Sequence, residues 1–111
     1  MTFEEATESA LAFRKERDWA QFHNPKDLAI SISLEAAELL EVFQWSGQDV
    51  TVESKAEKIK EELADVVIYC IYLADTLSLN LSDIVSSKLD ENARKYPTEK
   101  ARGNARKYTE L

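Results

Sequence analysis

Two glycines and two prolines among 111 residues leave almost no turn chemistry. A sheet protein needs tight turns at short, regular intervals, so hairpin-rich folds are excluded and long helices with short links are expected. One cysteine, Cys70, excludes an internal disulfide and fits a reducing compartment. One histidine, His23, excludes a carboxylate di-iron bundle, which needs Glu-x-x-His on two helices. Basic residues are outnumbered 14 to 21 by acidic ones, for a formal net charge of -7, so the chain carries no overall electrostatic footprint for a nucleic-acid polymer. The longest apolar run, Val66 to Ala74, falls far short of the roughly 20 residues that span a bilayer. No charged-then-apolar leader opens the chain. The expectation is a cytoplasmic chain with no membrane partner.

What is present is 44% hydrophobic and 32% charged residues, ordinary for a folded domain with a single core. Thr2 and Glu5 form a capping box ahead of Phe3, Ala6, Ala10, Phe13 and Arg17, which recur at helical spacing and predict a first helix from Phe3 to about Asp18. Asn24-Pro25 supplies an N-cap and a favoured first helical residue. From there Leu28, Ile32, Glu35, Leu39 and Val42 mark one stripe of a second helix ending near Trp45, before Gly47. After a loop and a charged start over 53–60, Ile59, Leu63, Val66, Cys70, Leu73 and Leu77 predict the buried stripe of a third helix. Its middle is apolar nearly all round, which asks for cover on more than one side, in part from a second subunit. Asn80 or Ser82 caps a fourth helix carrying Leu81, Ile84, Val85 and Leu89, and Pro97 stops it. The architecture expected is all-α, a four-helix bundle completed by oligomerisation, with one domain over 1–97 and a basic tail over 98–111.

Two acidic pairs stand out. Glu35 and Glu38 lie on the second helix and Glu62 and Asp65 on the third, each pair at three-residue spacing and in apolar surroundings. One such pair is commonplace on a solvated face. Two pairs set into apolar faces can bring four carboxylates to a common point, where only cations relieve their repulsion. Oxygen-only ligands suit hard cations, so Mg²⁺ is implied, with Mn²⁺ as its substitute, ahead of zinc or copper.

Other residues carry two readings each. Trp19 and Trp45 sit beside loops, where a ring face is either core or a platform for a nucleobase. His23 is a packing residue or a ligand contact. Tyr69, one turn beyond Asp65, is buried or turns its hydroxyl to a metal ligand or a phosphate. Lys88, Asn92 and Lys95 are a solvated stripe, or contacts for polyphosphate oxygens.

The segments Glu35-Ala-Ala-Glu38 and Glu62-Leu-Ala-Asp65, followed by Lys88-Leu-Asp-Glu-Asn92-Ala-Arg-Lys95-Tyr-Pro97, resemble the MazG-like all-α nucleoside triphosphate pyrophosphohydrolases. Glu16-Arg-Asp-Trp19-Ala-Gln-Phe-His23, Leu39-Leu-Glu-Val-Phe-Gln-Trp45, Glu61-Glu-Leu-Ala-Asp-Val-Val-Ile-Tyr69 and the ending Arg106-Lys-Tyr-Thr-Glu-Leu111 are similar to the dCTP-hydrolysing branch of that family. The resemblance implies Mg²⁺-dependent cleavage between the α and β phosphates of a nucleotide such as dCTP or a modified dCTP, giving monophosphate and pyrophosphate. It implies Glu35, Glu38, Glu62 and Asp65 as metal ligands, and Trp19, His23 and Trp45 as the base pocket. Tyr69, Lys88, Asn92, Lys95 and Tyr96 would form the phosphate side, in a dimer or tetramer. Glu38 and Glu41 are the two candidates to take a proton from the attacking water. In the dCTP branch a first-helix histidine also lines the base pocket, and the matching position here is Ala10. The rival from another class is a non-catalytic helical module that binds nucleotide or a protein partner on the same scaffold.

Overall fold

The computed structural model describes all residues, Met1–Leu111, and is built of helices without strands. The chain divides into two compact units, Met1–Ser78 and Leu79–Leu111. No helix is long and apolar enough to cross a membrane.

In the first unit, α1 (Phe3–Glu16) starts where the capping box predicts: Thr2 Oγ1 accepts from the Glu5 amide at 3.1 Å and donates to the Glu5 carboxylate at 3.2 Å. A left-handed Asp18 breaks the helix into a single 3-10 turn, Trp19–Phe22. The second helix, α2 (Pro25–Glu41), is capped by Asn24, whose Oδ1 accepts from the Asp27 amide at 2.9 Å. Its α geometry ends four residues before Trp45. From Val42 to Gln44 the amides bond back three residues instead of four, which tightens the chain toward a left-handed Trp45 and then Gly47.

Asp49 closes the loop that follows. Its Oδ1 accepts from the amides of Thr51 and Val52 at 3.3 and 3.0 Å, and holds Val52 buried in a left-handed conformation that β-branched residues rarely adopt. A 3-10 turn, Glu53–Lys55, then leads into α3 (Ala56–Thr76).

Helix α3 packs against both α1 and α2, most extensively against α2. Burial along α2 follows the predicted stripe: Leu28 and Val42 are buried, with Ile32, Glu35 and Leu39 half-buried between them. Along α3 it does so in part, with Ile59, Val66, Cys70 and Leu73 half-buried. Leu63 is 53% exposed and Leu77 is exposed as well, whereas Glu62, Ile71, Tyr72 and Ala74 are buried. A helix apolar all round has no face marked in its sequence. Glu62, Asp65, Tyr69 and Tyr72 form a second line one residue ahead of the expected stripe, the first and last of them buried. On α1 the buried residue is Arg14 rather than a phenylalanine. Its guanidinium bonds the Asp75 carboxylate, reaches Thr76 Oγ1 at 3.4 Å and lies 5.0 Å from the Tyr72 ring centre, so it fastens α1 to the end of α3.

In the second unit Asn80, not Ser82, caps α4 (Leu81–Lys95), with Oδ1 accepting from the Asp83 amide at 3.1 Å. Ile84, Val85 and Leu89 are exposed on α4. The basic tail contains one short helix, α5 (Thr98–Ala101), and a closing 3-10 turn, Tyr108–Glu110.

Candidate metal centre

Because α2 and α3 lie side by side, their acidic residues meet. One carboxylate oxygen from each of Glu35, Glu62 and Asp65 falls within 4.8 Å of the others. Glu62 is 3% exposed, and Glu35 and Asp65 are half-buried. The Oε2 atoms of Glu35 and Glu62 are both buried without a hydrogen-bond partner. Orphaned carboxylate oxygens are costly in a folded interior, and a hard cation with oxygen ligands is the partner that would satisfy them. The donor set therefore fits a divalent ion such as Mg²⁺.

Glu38 does not join that trio. It is exposed, one turn along α2, and its carboxyl sits against Glu62 first and Glu35 second; those contacts raise it from its ordinary range to about 7. Glu62 is shifted the other way, chiefly by Lys58, whose Nζ stands 2.8 Å from its Oε1. Lys58 was not among the residues singled out from the sequence. The signal available was its four-residue spacing from Glu62, one of several such pairs in a charged helix start.

Two hollows flank the carboxylates. One, of about 590 Å³, is polar and is lined by Glu38, Glu41, Lys55, Lys58 and Glu62. The other is an apolar groove of about 690 Å³ between α1 and α3, and its walls include Ala10, Phe13, Trp19, Leu63, Asp65 and Tyr69. Asp65 and Glu62 thus each belong to the acidic trio and to one hollow.

Trp19 stands edge-on to Phe13, ring centres 5.7 Å apart. His23 is half-buried, stacked on Tyr72 at 5.2 Å and edge-on to Tyr69 at 6.4 Å, with Nδ1 buried and unpartnered. Burial, followed by the nearby Arg14 charge, lowers its pKa, so the ring is neutral at pH 7. Tyr72, which anchors this stack, lies one turn beyond Tyr69, a spacing that could have flagged it. Burial and then Glu35, Asp65 and Glu38 raise the Tyr69 hydroxyl, keeping it protonated and able to donate. Trp45 is 92% exposed in its left-handed turn.

Lys88, Asn92, Lys95 and Tyr96 lie in the second unit. Lys88 and Lys95 reach Glu91 at 3.3 and 3.0 Å, Lys95 Nζ lies 4.9 Å from the Tyr108 ring centre, and Tyr96 meets Tyr108 edge-on at 5.9 Å.

The profile of the MazG-like family matches residues 30–111. The chain is 40% identical to human dCTP pyrophosphatase 1 and 38% identical to the mouse protein of that name, over 99% of its own length and 68% of theirs. The crystal structure of a pyrophosphatase from Archaeoglobus fulgidus superposes with a TM-score of 0.79 at 43% identity, covering 86% of this chain and 92% of that one.

Proposed function

The chain belongs to the MazG-like family, and from that premise we propose that it is a nucleoside triphosphate pyrophosphohydrolase that cleaves between the α and β phosphates. The observation that carries the reading is the acidic trio Glu35, Glu62 and Asp65 with its two orphaned oxygens. The substrate proposed is dCTP or a modified dCTP, in keeping with the names of the human and mouse relatives.

Glu35, Glu62 and Asp65 would hold the ion, with Glu38 as a fourth ligand. Bound there, Mg²⁺, or Mn²⁺ in its place, would neutralise phosphate charge and make water a stronger nucleophile at neutral pH. Glu38 and Glu41 both line the polar hollow and are the two residues proposed to receive the proton of the attacking water. The apolar groove suits a nucleobase, with Trp19 on its wall and Asp65 and Tyr69 at the boundary with the acids. His23 and Trp45 do not line that groove and are proposed as further contacts to the base. Tyr69 is proposed to donate to a phosphate oxygen, and Lys88, Asn92, Lys95 and Tyr96 are proposed as phosphate-binding residues.

A homo-oligomer, dimer or tetramer, is proposed as well. Ile30, Leu34 and Leu40 in the first unit and Ile84, Val85 and Leu89 in the second leave apolar surface that a second copy would cover. A cytoplasmic home suits the single unpaired Cys70.

Incubation with dCTP and Mg²⁺ followed by product separation tests the reading. Release of dCMP and pyrophosphate is the expected result. Orthophosphate with dCDP would place cleavage at the wrong bond, and no product from any of a panel of triphosphates would leave a binding module.

A further inference from the structure

The polar hollow already contains a cation that the protein supplies itself. Lys58, one turn before Glu62 on α3, places its Nζ 2.8 Å from Glu62 Oε1 and 3.9 Å from Glu61 Oε2. The two partners differ in freedom. The Glu62 side chain is 4% exposed and held by packing, while that of Lys58 is 57% exposed and reaches in from solvent. The other oxygen of Glu62 is buried with no partner, so the carboxylate is half satisfied, and it is this residue that shares the acidic trio with Glu35 and Asp65.

Resting on the metal reading above, we propose that Lys58 is the resident counter-cation of this site. It neutralises Glu62 while no divalent ion is held, must leave Glu62 for one to bind, and so sets metal affinity by competition. A buried carboxylate without a counter-charge is strongly disfavoured, which gives the metal-free fold a use for the lysine. An ammonium on a flexible four-carbon stem is a compact point charge that can withdraw to solvent without moving the helix. A divalent ion at about 2.1 Å from a Glu62 oxygen and an ammonium on the same carboxylate would repel one another across a few ångströms. Each ion bound therefore displaces the lysine, and taking the lysine away should tighten binding.

Calorimetric titration of Mn²⁺ into chelator-stripped protein tests this with wild type, Lys58→Gln and Lys58→Arg. Lys58→Gln should bind Mn²⁺ roughly 1.5- to 5-fold more tightly than wild type, the range expected for losing a partly exposed ion-pair competitor. Without metal it should melt lower than wild type, and saturating Mn²⁺ should raise its midpoint by more. Lys58→Arg, which keeps the charge, should bind much as wild type does. A purely structural lysine would lower the metal-free midpoint and leave Mn²⁺ affinity alone, so equal or weaker binding by Lys58→Gln overturns the proposal. Lys58→Met, which keeps the apolar stem, takes its place if the Gln variant does not fold. Wild type that takes up no Mn²⁺ would instead sink the metal reading itself, and this proposal with it.

Discussion

The Glu38 carboxyl on α2 meets the Glu62 carboxylate on α3, and the contact keeps Glu38 protonated up to about pH 7. Two acids on neighbouring helices cannot both ionise freely at this separation, so one keeps a proton. Glu35 adds to the same effect, and Lys58 bonds Glu62 from the other side.

A pH dependence follows for the metal-free protein. Because the folded pKa of Glu38, about 7, lies above its ordinary 4.5, the folded state holds a proton between those values that the unfolded chain has lost. The stability this provides is complete below about pH 4.5 and disappears as pH rises through 7. Glu38→Gln should therefore gain in melting temperature relative to wild type between pH 6 and 8, measured with chelator present. A difference between the two that stays constant over that range would show that Glu38 is not the group titrating.

Metal uptake should draw on the same proton. Calorimetry of Mn²⁺ binding in buffers of different ionisation heat should register proton release at pH 6 and little at pH 8.5 in wild type, and little at either pH in Glu38→Gln.

Glu62→Gln and Asp65→Asn should abolish the rise in melting temperature that saturating Mg²⁺ gives wild type, since a ligand that binds only the folded form must raise the midpoint. Turnover should fall by at least the roughly 10–100-fold that even outer-shell partners of a metal are worth. Far-ultraviolet circular dichroism should show the helices retained. Unchanged turnover would remove these carboxylates from the site.

Trp45 is 92% exposed, so Trp45→Ala should alter stability by less than about 0.5 kcal/mol. If the ring stacks on the base, the loss is roughly 1 to 3 kcal/mol, seen as a KM raised by about 5- to 150-fold. Steady-state kinetics beside a melting curve separates the two effects, and an unmoved KM would take Trp45 out of the base pocket.

Arg14→Met should destabilise the first unit by about 2 kcal/mol, because it removes a charge-assisted hydrogen bond to Asp75 and the contact with the Tyr72 ring. Asp75 is 47% exposed and can be resolvated, which keeps the loss below that of a fully buried pair. Thermal melting should show a drop of about 8 °C or more.

Features that depend on a few consecutive residues were legible in the amino-acid order alone. Thr2, Asn24 and Asn80 cap the helices because their side chains bond amides three positions on, and the 3.6-residue period placed Glu35 among the apolar positions of α2. The acidic pairs marked the candidate site for the same local reason. Packing decided the rest. Which side of α3 is buried, why Glu62 is among the least exposed residues and why Glu38 stands beside the trio depend on where α1 and α2 lie against α3. A helix apolar on every side does not announce the face it will bury, and distances between carboxylates on different helices exist only once those helices have docked.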